Sequence, residues 1–403
     1  MNSNSPRTLS KLEFVCLMGG LMSLVALAID AVLPAFEPIA TSLSVEPHNH
    51  VQWVISVLFA GFVIGQLLFG PMSDAFGRRW SILMGLGLFT IGSLIGLFSL
   101  SFEQLLLARF LQGMGAAASR VTCVAIIRDR MSGADMASMM SYVMAIFIFA
   151  PVIAPSIGEL ILSFSGWRSI FVFYLIFAFA MACWVLLRLE ETLDHQRRTA
   201  LSWRAVAKNF AHVFSNKQTM GYTLAAGIVF GALVGYLNSA QQTFQHFFDT
   251  GGQFAIYFGI SAFSVGIASI VNGRFVKAFG INRICTLAMI GILCISGGFY
   301  ALFDLTEPQG LLLPYMVTAC GIFFCYGLLF GNLNSLTMEH MNMSAGTASA
   351  VIGCLSTAIG LVIGTVIGQL YDDSLRPLML GFIFVGVSTL ILHRLLMPKS
   401  HPL

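Results

Sequence analysis

Long apolar stretches broken by short polar ones recur from one end of the chain to the other. They lie near 12–36, 52–74, 80–101, 103–127, 136–163, 168–189, 218–245, 253–273, 284–303, 310–338, 345–370 and 377–397. A helix needs about 20 mostly apolar residues to cross a bilayer, so each stretch is long enough to be a span. The pattern therefore predicts an all-α membrane protein of twelve transmembrane helices. One polar connection of any length interrupts it, 190–217, close to the chain midpoint. It divides the chain into an N-terminal six-helix bundle (1–189), a linker (190–217) and a C-terminal six-helix bundle (218–403).

Composition excludes a soluble reading. Of the 403 residues 57% are hydrophobic and only 10% charged, against roughly 25% charged in ordinary soluble domains. The first apolar run is too long for the h-region of a cleaved signal and reads as a retained span. All eight cysteines fall within apolar segments, and their spacing suits neither zinc nor redox chemistry. They read as small buried hydrophobes.

Charge sets the expected orientation. With a cytoplasmic N-terminus, the inner loops and ends collect Arg7, Lys11, Arg78, Arg79, Arg128, Arg130, Arg188, Arg197, Arg198, Arg204, Lys208, Lys217, Arg274, Lys277, Arg283, Arg394 and Lys399. The outer loops collect Arg168 and Arg376, and Arg109 and Arg120 lie within the fourth run. The excess of basic residues inside places both termini and the linker in the cytoplasm. Scattered basic residues with a net charge of +3 do not make a nucleic-acid surface.

The halves echo each other. GPMSDAFGRR (70–79) follows the second run and GRFVKAFGINR (273–283) follows the eighth, so glycine, charge and glycine recur at one spacing. Duplicated halves suit a transporter that rocks around a central site. Gly61 and Gly65, Ala150, Ala154 and Gly158, and Gly360, Gly364 and Gly368 form small-residue faces with a four-residue spacing. Such faces permit close helix approach, either between neighbours within one half or along a moving seam.

Asp30 stands deep in the first run, and an ionisable group at such depth is a functional candidate. Burial disfavours a charged carboxyl and a nearby cation favours it, so such a group can load and release a proton as its surroundings alternate. A permanent structural pairing with an arginine is the alternative. Arg109 must find acceptors or water, and a polar cavity shared with Asp30 would provide them. Arg120, eleven residues on, returns to nearly the same helix face; it either joins that cavity or extends toward the cytoplasm. Gly70 is expected to admit a neighbouring helix closely and Gly77 to form a tight turn. Pro151 and Pro155 should bend the fifth span. Spans seven to twelve carry no interior Asp, Glu, Lys or Arg. They offer instead Tyr222, Tyr236, Asn238, Gln241, Tyr257, Phe263, Asn332 and Asn334, of which Tyr236, Asn238, Tyr257, Asn332 and Asn334 are candidate cavity residues for a drug-sized ligand.

Several motifs resemble a known family. The 70–79 loop is similar to the loop signature of the major facilitator superfamily, LARFLQGMG (107–115) to its fourth-helix motif, and APVIAPSIG (150–158) to its antiporter motif. Ile29, Asp30, Leu33 and Pro34, the pair Arg128 and Asp129, MMSY (139–142) and AGTAS (345–349) resemble the Bcr/CflA group of drug:proton antiporters. The resemblance implies proton or cationic-drug binding at Asp30 and tuning of that acid by Arg109. It also implies a charge relay through Asp74, Arg78 and Asp129, with Gly70, Gly77 and Arg79 in the same loop, that latches the outward-facing state. The antiporter motif here is Ala150, Pro151, Ala154, Pro155 and Gly158, but Glu159 follows where a second glycine is usual. Glu159 reads as a solvated rim residue or as a second proton site. Arg120 also stands where the family has a small residue.

The reading is a proton-coupled antiporter that exports drugs or drug-like molecules across a bacterial inner membrane, a monomer by default, with no cofactor, metal or nucleic-acid partner. A proton-coupled importer or exporter of one metabolite shares the fold. A receptor or membrane enzyme is disfavoured: His48, His50, His195, His212, His340, His393 and His401 lie in loops or at span ends, His246 closes the seventh run, and neither HExxH nor a GxxxxGK[ST] loop occurs.

Overall fold

A computed structural model describes residues 9–194, 196, 198–199, 201–303, 310–339 and 345–397. Arg7, Arg197, Lys399, His195, His340 and His401 lie outside these, as do the side chains of the 345–349 motif.

Among the described residues, twelve helices are long and apolar enough to cross a membrane. In chain order they are Lys11–Ser42, Asn49–Phe76, Arg78–Leu97, Phe102–Arg130, Ser138–Phe164, Arg168–Arg188, Lys217–Phe247, Gly251–Phe279, Ile281–Phe303, Leu312–Glu339, Ala350–Gln369 and Arg376–Leu396, hereafter spans one to twelve. Each helix bonds its own backbone internally, which hydrocarbon demands of any lipid-exposed segment. Side chains such as Phe98, Leu107, Phe164, Phe179, Leu313 and Leu395 project outward as lipid-facing surface. All eight cysteines are free. Cys123, Cys285, Cys325 and Cys354 are buried, whereas Cys294 points outward, so not every cysteine is a core residue.

Turns of the two halves correspond. Span two ends at Phe76 and span three begins at Arg78 across Gly77, whose φ is +105°. Span eight ends at Phe279 and span nine begins at Ile281 across Gly280, whose φ is +77°. Both values lie where a side chain is strained, which explains a glycine at each site. Gly70 does not admit a close neighbour: a Cβ there would make only ordinary contact, 3.9 Å from Val121. Close approach occurs two turns earlier. At Gly61 and Gly113 a Cβ would collide with the carbonyl oxygens of Phe110 and Leu58, which brings spans two and four together backbone to backbone.

The small-residue faces pack mainly within the halves. Gly61 and Gly65 meet span four, Gly158 meets Ala31 of span one, and Gly360 and Gly364 meet span seven. Gly368 does both, lying against Asn238 of its own half and Gln52 of the other.

The linker holds a helix that polarity alone concealed, Trp203–Ser215. Its Val213 is fully buried in a small cluster with Val351 and Ile352 at the start of span eleven. One apolar face on an otherwise polar segment is enough to dock it on the C-terminal half.

Candidate transport site

Span one is not a continuous helix. It runs regularly from Lys11 to Asp30, turns out at Ala31 and Val32, and resumes as a short 3₁₀ turn at Leu33–Ala35 followed by Phe36–Ser42. Pro34 accounts for the interruption, since it lacks a backbone N–H and its ring disfavours a helical residue before it. Asp30 is the last residue before the break, 3% exposed. It makes no hydrogen bond or ion pair with a described residue. Tyr174 of span six and Tyr236 of span seven both lie within electrostatic range of it, so the acid stands where the halves meet.

Arg109 is fully buried, and its guanidinium is committed elsewhere. Nε donates to the Val54 carbonyl (3.1 Å), Nη1 to Gln112 Oε1 (2.7 Å) and Nη2 to the Ala28 carbonyl. Gln112 Nε2 passes the network to Ser93 Oγ (2.8 Å), and the Tyr174 hydroxyl donates to the Leu27 and Ala28 carbonyls. The expected meeting of Arg109 with the Asp30 carboxylate is therefore not formed. Arg109 instead holds the backbone of span one two residues before Asp30, tying spans one, two, three and four together. A buried cation needs every donor engaged, and helix carbonyls near a break are ready acceptors.

Gly158 of the antiporter motif explains how span five reaches this break: a Cβ there would strike the Ala31 carbonyl oxygen. Pro151 and Pro155 lie inside that helix, with Ala150 and Ala154 buried against the bundle. Glu159 is not a free rim residue. Its Oε1 accepts from the Ala255 backbone N–H (3.2 Å), so a carboxylate of one half caps the first turn of span eight in the other, where the helix dipole favours negative charge.

Around Glu159 the halves are sealed at the end opposite the linker. Gln52 Nε2 donates to Gln242 Oε1 (2.6 Å) and Gln242 Nε2 to Asn49 Oδ1 (3.0 Å). Asn49 Nδ2 donates to the Tyr371 carbonyl (2.6 Å) and Gln369 Nε2 to the Asn49 carbonyl (2.9 Å). Thr365 Oγ1 and Asn238 Nδ2 both donate to Ser56 Oγ, and His246 lies 3.1 Å from Glu37. Near mid-span, Gln66 Nε2 donates to Thr357 Oγ1 (3.4 Å). Cys354 Sγ, one turn nearer the linker in span eleven, donates to the Val63 carbonyl (3.7 Å), and beyond these two no hydrogen bond joins the halves among the described residues. The hydrogen bonds between the halves among the described residues thus gather at the far end and the middle of the spans.

At the linker end the 70–79 loop carries an ionic cluster. Arg78 Nε donates to Asp129 Oδ2 (2.8 Å), and Nη1 donates to Asp74 Oδ1 and to Ser73 Oγ (2.9 Å). Glu191 completes it, accepting from the backbone N–H groups of Arg78 (2.9 Å), Arg79 (3.2 Å), Thr192 and Leu193. Arg79 donates through Nη2 to the Leu186 carbonyl. Sequence reasoning brought Asp74, Arg78 and Asp129 together but read Glu191 as one more linker charge. Its one local signal was its place in the Glu190-Glu191 pair just past Leu189, the last apolar residue after span six.

The candidate cavity residues are dispersed. Tyr236 is buried near Asp30, its hydroxyl toward Ser261 without a well-formed hydrogen bond. Asn238 belongs to the far-end seal, and Tyr257 donates to Gln253 (3.0 Å) and stacks on Phe244. Asn332 pairs with Asn272 of span eight, and Asn334 is exposed near the linker end. They do not line one pocket in this conformation.

Residues 18–365 match the profile of the Major Facilitator Superfamily. A Bacillus subtilis protein named "Uncharacterized MFS-type transporter YdgK" is 32% identical over 91% of this chain and 90% of its own. "Bicyclomycin resistance protein homolog" of Haemophilus influenzae is 29% identical over 91% of each, and "Multidrug resistance protein D" of Escherichia coli is 26% identical over 80% of each. The chain belongs to the Major Facilitator Superfamily, within the relationship of the Bcr/CflA drug antiporters, and is a multi-pass membrane transporter of small molecules and not an enzyme.

Proposed function

We propose that this member of the superfamily exports drugs or drug-like molecules from the bacterial cytoplasm across the inner membrane in exchange for protons, as a monomer with both termini inside. The observation that carries the reading is Asp30: a carboxyl with no hydrogen bond or ion pair to a described residue, at the interruption of span one and within electrostatic range of Tyr236 across the half interface. A carboxyl held without a counter-ion can exchange a proton each time the halves expose it to a different side. Relatives named for bicyclomycin and multidrug resistance support drugs as the cargo.

In this scheme the present conformation faces the cytoplasm, since the hydrogen bonds that join the halves gather at the end opposite the linker. The far-end seal must open, and the halves must close near Arg78, for cargo to leave. The Arg78 cluster then latches that second state. Arg109 contributes by fixing the backbone that presents Asp30.

The test is drug transport by purified protein in proteoliposomes under an imposed pH gradient. Asp30→Asn is expected to reduce gradient-driven transport to background while drug binding in detergent persists. Transport by the variant at the parental rate would remove Asp30 from the coupling role.

A further inference from the structure

Arg120 is the buried charge that the scheme above does not use. It lies in span four eleven residues beyond Arg109, which is about 16 Å along the helix toward the linker. Its guanidinium carbon is 5.8 Å from the ring centre of Phe62 in span two and 5.8 Å from that of Phe147 in span five. Among the described residues it makes no hydrogen bond and no ion pair. It lies deep in the molecule yet is only partly buried.

Among the described residues no acid pairs with it. Asp74 and Asp129 bind Arg78, Glu13 binds Arg188, and Glu159 caps span eight. Glu191 serves the 77–79 turn, Asp30 lies at the level of Arg109, and Asp135 is exposed. The facing half has no acid in the interior of its spans. Two ring faces offset only part of the cost of withdrawing a guanidinium from water. The arrangement is thus a cation with its donor fork free and apolar walls on both sides.

We propose that Arg120 and Phe147 form a subsite for an organic anion: a carboxylate on a flat apolar body, its oxygens on the guanidinium fork and its body against the Phe147 ring, with the buried Phe62 ring backing the guanidinium. Planar bidentate pairing suits carboxylates and is strengthened where water is scarce. The cargo class of this transporter then includes acidic aromatic molecules, which a cavity with Asp30 as its one charge would reject. The proposal rests on the transport reading for its open cavity, but it concerns binding and does not depend on proton coupling or direction.

The test compares 4-fluorobenzoate with its neutral isostere 4-fluorobenzamide, binding being read by fluorine NMR line broadening with purified protein in detergent. Wild-type protein is expected to prefer the benzoate. Arg120→Gln should weaken the benzoate about tenfold or more, as loss of a charge-assisted pair implies, and leave the benzamide unchanged. Arg120→Lys keeps the charge without the fork and should retain a reduced preference for the benzoate. Equal wild-type affinity for both probes overturns the proposal, as does undiminished benzoate binding by Arg120→Gln. Should the glutamine variant not fold, a lysine variant without any preference overturns it as well. Each of these results leaves the Asp30 experiment standing, so the two readings fail separately.

Discussion

The turns at Gly77 and Gly280 are built alike and furnished differently. Each joins two spans through a glycine of positive φ after the sequence Ala-Phe. Around Gly77, Arg78 binds Asp74 and Asp129 while Glu191 holds the following N–H groups. Around Gly280, Arg274, Lys277 and Arg283 make no ion pair among the described residues. The same asymmetry runs through the bundles. Asp30, Arg109 and Arg120 are deep in the N-terminal half, whereas the other half contributes neutral pairs such as Asn272 with Asn332. The two turns thus share a backbone conformation, while the buried charges gather on one side and neutral pairs on the other.

The sharpest way to break this comparison is to remove each half's buried polar centre. Arg109→Leu orphans the Val54 carbonyl and Gln112, and should destabilise the protein by about 3–5 kcal/mol, as breaking a buried charged network does. Asn332→Leu leaves Asn272 unpaired and should cost about 1–3 kcal/mol. Thermal unfolding in one detergent measures both, and equal losses would mean that the charge is not what organises the N-terminal half.

A second pair of substitutions should differ in sign. Gly113→Ala drives a methyl into the Leu58 carbonyl and should cost about 1–3 kcal/mol through forced separation of spans two and four. Gly297→Ala in span nine meets open space and should gain about 0.5–1 kcal/mol from helix propensity. A loss at both positions would show that span nine is packed as tightly as span four.

The two turns can be compared directly by turnover. Arg78→Ala should slow transport about tenfold, equivalent to ~1.4 kcal/mol on a conformational step, with drug affinity little changed. Arg274→Ala should leave the rate within about twofold, as an exposed charge without a partner contributes little. A large affinity loss in Arg78→Ala with unaltered turnover would argue against a latch.

The smallest expected effect lies at the seal, where both halves contribute equally. Gln52→Leu removes one hydrogen bond to Gln242, worth about 0.5–1.5 kcal/mol, and should raise the far-end-open population several-fold. Labelling of a cysteine placed at Asn49 by a membrane-impermeant thiol reagent would register it. Unchanged labelling would mean that the seal is held by packing and not by its amides.

The number of spans and the turn glycines were legible in the chain because each follows from local information. A window of about 20 apolar residues is self-sufficient in a bilayer, and a positive φ is a property of one residue. Asp30 was legible for the same reason, as a charge inside such a window. Its neighbours were not. Arg109 found carbonyls 55 and 81 residues away, and its expected pairing with Asp30 did not form because helix crossings, not the helical wheel, decide which acceptor comes within 3 Å. The Trp203–Ser215 helix was hidden because one buried valine means nothing until span eleven lies beside it. Glu159 read as a rim residue or a second proton site, and Asn49, Gln52, Gln242 and Gln369 carried no signal at all, because their partners belong to the other half, up to 322 residues along the chain. Hydrophobicity is summed along the sequence and fixes the spans, whereas a hydrogen bond depends on ångström-scale placement of two groups that only the packed halves bring together.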